Sequence, residues 1–209
     1  MLWYLVGLIT SDGSLSKDGR HIDITSKDRD YLIGLKAFTG LKNNVTLKRG
    51  FNNSTAYHIQ FANRHFYDFL LKIGLMPKKS LVLKEIEVEE RYFTDFARGL
   101  IDGDGNIRTW AHPTNGVMQW SLRIYSGSED FLKWFSKKAE LYFRACGKIY
   151  KESSRTGALC TLKYGKLAAE AILKNCYYDN AFAMERKAHL ALSCINSDKG
   201  WKRSKTVLT

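Results

Sequence analysis

Residues 7–13 read GLITSDG and residues 99–105 read GLIDGDG. One glycine, two branched aliphatics and a closing aspartate-glycine recur 92 positions apart, which marks a structural unit used twice. Read as helices over residues 3–12 and 93–104, the stretches place Gly7 with Ser11 and Gly99 with Gly103 at four-residue spacing on one face. Small side chains there let two helix backbones approach closely, so the two motif helices are expected to pack on each other. Gly13 and Gly105 then fall where a helix closes in a left-handed residue. Asp12 and Asp104 stand together at two helix C-termini, where the helix dipoles already disfavour negative charge. A divalent cation relieves that conflict, and oxygen ligands with open water positions suit magnesium.

The match widens on both sides. After each motif come two stretches of alternating polar and apolar residues, residues 14–15 and 20–25 around Asp18-Gly19, and residues 106–112 and 117–126 around Pro113-Thr114-Asn115-Gly116. Ile24, Ser26, Asp30 and Leu32 match Ile124, Ser126, Asp130 and Leu132 at an offset of 100 and lead into helical patterns. A second hairpin follows in each half, 45–49 with 56–62 around Asn52-Asn53, and 148–151 with 158–163 around residues 153–157. Closing helices are expected over 64–73 and 166–174, the first stopped by Gly74 and Pro77. The fold class is therefore α+β, two pseudo-symmetric αββαββα repeats with a four-stranded antiparallel sheet in each. The repeats span residues 1–88 and 89–195, and a basic tail covers 196–209 with Lys199, Lys202, Arg203 and Lys205. The charged stretch EVEER at residues 87–91 is read as a linker or a solvated helix face.

The chain has 209 residues with 33 basic and 21 acidic side chains, a net charge of +12, which favours a polyanionic partner such as nucleic acid. No apolar run reaches membrane-spanning length, and Met1-Leu2-Trp3-Tyr4 lacks the basic region of a secretory signal. An aqueous intracellular setting, cytoplasmic, nucleoid or organellar rather than secreted, is expected. Cys146, Cys160, Cys176 and Cys194 form no Cys-x-x-Cys pair and are read as small reduced core residues rather than zinc ligands.

The doubled motif, LVGLITSDG at residues 5–13 and ARGLIDGDG at residues 97–105, resembles the two motif helices of a LAGLIDADG homing endonuclease in its single-chain, two-repeat form. The resemblance implies a monomeric, site-specific enzyme that binds a long asymmetric double-stranded DNA site. It implies hydrolysis of one phosphodiester on each strand, leaving short 3′ overhangs. It further implies that Asp12 and Asp104, with Gly103 and Ser11 as further metal-site residues, bind the divalent metal, Mg2+ or in its place Mn2+ or Ca2+. Thr10 stands where the family's earlier aspartate is kept as Asp102 in the second motif, a position that is not the metal ligand. Lys79 and Lys187 resemble the basic residue found near each metal, although lysines are also common at solvated helix starts.

Strands can enter a major groove, with Arg, Lys and Gln reading base edges while other basic groups hold phosphates. The candidates are Lys17 and Arg20 in the first hairpin, Lys48, Arg49, Tyr57 and Gln60 in the second, and Arg108, Gln119 and Arg123 in the third. Lys148, Lys151, Arg155 and Lys163 complete them in the fourth. Ser26 and Ser126 are added as repeat-related polar positions at strand ends, with a helix-capping role as the other reading. A rival function on the same scaffold is an RNA-splicing maturase or a DNA-binding protein that does not cut. The presence of both Asp12 and Asp104 favours cleavage.

Overall fold

The computed structural model of the protein describes residues 1–49, 55–154 and 157–197. Its first helix, α1 (Leu2–Asp12), is apolar nearly all round and buries every residue from Trp3 to Thr10. It lies against α4 (Phe93–Asp104), the repeat-related helix. The glycines explain how closely: a Cβ added to Gly7 would sit 2.9 Å from the Leu100 amide nitrogen and collide outright with the Phe96 carbonyl oxygen. One added to Gly99 would meet Leu8 and Tyr4 in the same way, so the contact obeys the pseudo-twofold axis residue for residue. The expected packing of the small-residue faces is present.

Each motif helix runs directly into a strand. In the first half β1 (Gly13–Leu15), β2 (His21–Ser26), β3 (Val45–Arg49) and β4 (Thr55–Ala62) form an antiparallel sheet in the order β1-β2-β4-β3. In the second, β5 (Gly105–Ala111), β6 (Met118–Ser126), β7 (Lys148–Ser154) and β8 (Gly157–Tyr164) repeat that order. Gly13 and Gly105 are not left-handed caps as expected: their φ values are −93° and −74°, and both open a strand in extended conformation. Glycine is needed there because the strand folds back on its own helix. A Cβ would lie 2.6 Å from Ile9 Cα at Gly13 and 2.7 Å from Ile101 Cα at Gly105.

Between the hairpins lie α2 (Arg29–Thr39) and α5 (Glu129–Phe143), started by Asp28 and Ser128, whose side chains accept the amides of Tyr31 and Phe131. α3 (Arg64–Lys72) starts at Asn63 in the same way, and α6 (Lys166–Cys176) follows β8. The helices cover one face of each sheet, burying Ile22, Ile24, Ile59 and Phe61 in the first and Trp120, Leu122, Ile124 and Leu162 in the second.

The halves do not both close on one helix as expected. After α6 the second half adds α7 (Glu185–Asn196), whereas the matching place in the first half is a single 3-10 turn, Lys79–Leu81. EVEER lies between the two repeats outside any α-helix, and it is held to the first of them. Ile86 and Val88 are buried, the Glu87 amide donates to Ile73 O at 2.8 Å, and a 3-10 turn spans Glu90–Tyr92. Cys160, Cys176 and Cys194 are buried, but Cys146 is exposed. No helix among the described residues is long and apolar enough to cross a membrane.

Candidate active site and nucleic-acid interface

Asp12 and Asp104 are the last residues of α1 and α4, so the helix contact that buries Gly7 and Gly99 also brings the two carboxyls to one place. Burial pushes the Asp104 carboxyl up to about 6, and the charge of Asp12 adds to the effect. Burial also raises Asp12, against the pull of Lys187, Lys79 and Arg186. Both lysines reach this point from outside the motif. Lys187, in the first turn of α7, donates from Nζ to the carbonyls of Ile101, Asp102 and Gly103 at 2.6–2.8 Å. Lys79 Nζ donates to Gly13 O. Each ammonium thus satisfies carbonyls at the end of a motif helix and offsets the negative end of its dipole. Burial lowers both lysines to about 8, with the two aspartates opposing, so they remain cationic near neutral pH.

Ser11 and Gly103 are drawn to other partners. Ser11 Oγ donates back into its own helix, to Leu8 O at 3.0 Å, and the Gly103 carbonyl accepts from Lys187. The two carboxylates are then the hard oxygen donors of the site. Among the described residues no group of three or more His, Cys, Asp or Glu forms a cage. Magnesium does not require one, since it takes one or two carboxylates and completes its shell with water and substrate phosphate. The repulsion between Asp104 and Asp12, which the neighbouring lysines offset only in part, fits a divalent cation.

Asp102 is close by but faces the core. It is fully buried and accepts from the Tyr4 hydroxyl (2.7 Å), the Tyr177 hydroxyl (2.7 Å) and the Met184 amide (2.8 Å), which pins the start of α7 and with it Lys187. Thr10, its repeat partner, merely donates back to Val6 O at 2.8 Å. From Asp12 a cleft of 740 Å³ leads along Thr25, Ser26, Tyr57, Met184 and Arg186. Arg186, adjacent in sequence to Lys187, joins the site without any sequence signal that singles it out.

The face of each sheet turned away from the helices is set by register. In the second half Asn106, Arg123, Lys163 and Lys148 lie opposite one another across all four strands, with Arg108 and Gln119 on the same face. Three buried polar atoms there have no hydrogen-bond partner among the described residues: Arg123 Nε, Ser121 Oγ and Thr161 Oγ1. In the first half the corresponding row is Ser14, Asp23 and Gln60, with Lys48, His58 and Thr25 on that face. Lys17 and Arg20 are exposed in the β1–β2 turn. The structure sets five candidates apart from this face. Tyr57 shares the side of buried Ile59 and packs on the core, and Arg49 has the same parity. Lys151 lies on the helix side and pairs with Glu129 at 2.6 Å. Ser26 and Ser126 also turn from it, their hydroxyls accepting the amides of Asp28 and Ser128 at 3.1 Å just before the helices, while Asp28 and Ser128 themselves are the caps. Arg155 lies outside the described residues, as do Asn52, Asn53 and the tail from residue 198.

No family model matches the chain. No curated protein matches it in sequence. Solved structures do match. The homing endonuclease I-WcaI bound to its DNA recognition sequence aligns over 91% of this chain and 85% of its own, with a TM-score of 0.63 at 11% identity. I-DmoI in complex with DNA and Ca aligns over 90% and 95%, at 0.58 and 15%. The chain has the LAGLIDADG fold. Full-length DUF199/WhiA from Thermatoga maritima shares it, with a TM-score of 0.60 at 15% identity over 97% of this chain. The chain spans 62% of that protein's length. In LAGLIDADG terms, the elements that carry this likeness are the paired motif helices and the two four-stranded sheets described above.

Proposed function

We propose that the protein is a divalent-cation-dependent endonuclease that binds a long, asymmetric double-stranded DNA site and cuts both strands. The observation that carries this reading is the convergence of Asp12 and Asp104, each beside a buried lysine, at the joint between two sheets whose free faces carry basic and amide side chains. The sheets bind and orient the duplex, with Arg108, Gln119, Arg123, Lys148 and Lys163 on one side and Gln60, Lys17 and Arg20 on the other. Asp12 and Asp104 hold the cation, which when bound supplies Lewis-acid polarisation of phosphate oxygen and an acidified water. Lys79 and Lys187 fix the helix ends that carry the aspartates and bring positive charge to a site where phosphate charge develops. The DNA named in the I-WcaI and I-DmoI complexes supports this partner.

The fold, shared with DUF199/WhiA, does not itself dictate cleavage, and the second reading is a nucleic-acid-binding protein of the same scaffold that does not cut. One experiment separates the two. The protein is used to select duplexes from a randomised library, and the selected duplex is incubated with magnesium or with EDTA. Scission of both strands with magnesium and none with EDTA is expected; a bound but intact duplex with magnesium and with manganese overturns the nuclease reading.

A further inference from the structure

The free face of the N-terminal sheet contains a closed polar cluster that the cleavage site does not use. Asp23 is buried to 7% exposure although it faces away from the helices. Its Oδ1 accepts from Thr25 Oγ1 at 2.9 Å and from Lys48 Nζ at 3.1 Å, and its Oδ2 lies 2.5 Å from His58 Nδ1. Burial pushes this carboxyl up, yet the hydrogen bonds from His58, Thr25 and Lys48 outweigh it and hold Asp23 below the usual carboxylate range. An ionised carboxylate can only accept, so the proton of the contact sits on Nδ1. Nε2 is the ring atom left for a ligand, and the ring plane is fixed by the carboxylate. At the same time the ammonium of Lys48, on a half-exposed side chain, is engaged by Asp23 and Thr25 rather than left free.

We propose that His58 is a base-reading residue of the N-terminal sheet, presenting Nε2 to one base-pair edge in the major groove, and that Asp23 is its positioning residue, which also withholds Lys48 from the phosphates. The inference rests on the double-stranded DNA reading above. Nε2 without a proton accepts, matching the exocyclic amine of adenine or cytosine, and with one donates, matching N7 or O6 of guanine. Asp23 therefore sets this half toward discrimination and away from general attraction, whereas the repeat-related position in the other sheet is Arg123.

The test compares wild type, His58→Ala, His58→Gln and Asp23→Asn on the selected duplex and all of its single-base-pair variants, at several salt concentrations. His58→Ala is expected to lower the preference at one base pair by about tenfold or more and leave the others in place. His58→Gln, with an amide in place of the ring, is expected to change which base is preferred there. Asp23→Asn is expected to weaken that same preference while binding to unrelated duplexes tightens. Its slope of log K against log salt should steepen by about 0.9, because Lys48 becomes free for one phosphate. A cluster that only braces the sheet would instead weaken all duplexes together. Unchanged preferences in His58→Ala and His58→Gln, or uniform weakening with an unchanged slope in Asp23→Asn, overturn the inference while leaving the nuclease reading intact. A wild-type protein that selects no duplex overturns both.

Discussion

The N-terminal sheet carries Asp23 where the C-terminal sheet carries Arg123, and the motif helix of the first half carries Thr10 where the second carries Asp102. Around these differences the scaffold is the same: identical strand order, and glycines 7 and 99 buried against equivalent backbone atoms. The repeat thus preserves what backbone approach demands and varies what side chains supply. In the second half a three-donor carboxylate braces α7, and a row of Arg123, Lys163 and Lys148 lines the free face. In the first half Lys79 stands on a 3-10 turn following Lys78 at φ 59°, and the sheet satisfies its own charges.

Substitution at the unequal motif position sharpens this contrast most. Asp102→Ala leaves the Tyr177 hydroxyl and the Met184 amide without their acceptor, turns the Tyr4 hydroxyl back on Tyr31, and should cost about 3–5 kcal/mol. Thr10→Val removes one bond back into its own helix and should cost about 1 kcal/mol or less. Equal losses in chemical denaturation would mean that the halves are braced alike. Next in size, Gly7→Ala and Gly99→Ala should each cost about 3 kcal/mol, since the added Cβ meets backbone that yields only if the helices separate. Gly165→Ala, where nothing lies within 4 Å, should stay within about 0.5 kcal/mol. A denaturation midpoint unmoved by Gly7→Ala would break the symmetry of the interface.

What is legible in the sequence follows from these same residues. The four-residue spacing of Gly7 with Ser11 and Gly99 with Gly103 discloses the helix contact, and alternation discloses all eight strands. Gly13 and Gly105 mislead because aspartate-glycine after a helix is written alike for a left-handed cap and for a strand that doubles back. The lysines are legible only by resemblance. Their task, capping carbonyls 66 and 84–86 residues distant in sequence, is a tertiary contact with no local pattern. Tyr57 and Lys151 pass for duplex contacts in the sequence because composition does not reveal which face of a strand a residue occupies. His58 escapes notice there for the converse reason: only register with Thr25 puts it on the free face.

A further difference concerns charge. Asp104, pushed up to about 6 by burial and by Asp12, keeps a proton that the unfolded chain, titrating at 3.8, has released, so cation-free stability falls as pH rises from about 4 to 6. Lys79 and Lys187, lowered to about 8 by burial, lose their protons before the unfolded chain does, and stability recovers as pH rises from about 8 to 10.5. These three groups together destabilise the cation-free protein most between these windows. Asp104→Asn should raise stability at pH 7 by about 2 kcal/mol, and magnesium should raise the melting temperature of wild type but not of this variant. Asp23, held below its usual range, should behave oppositely: its contribution is present at neutral pH and lost as pH falls through its folded value, so Asp23→Asn should destabilise. The same sign of change in both variants would contradict the distinction. The smallest effect is on salt dependence, where Arg123→Ala or Lys163→Ala should flatten the log K slope by about 0.9 for each phosphate no longer neutralised, and Gln60→Ala should not change it.

Cleavage of the selected duplex, with magnesium, by Asp12→Asn and Asp104→Asn beside wild type probes the paired carboxylates most directly. Each variant is expected to bind the duplex as wild type does and to produce no double-strand break, because the carboxylates hold the cation while the sheets hold the DNA. Undiminished double-strand cleavage by either variant would contradict the assignment of Asp12 and Asp104 as the cation's ligands.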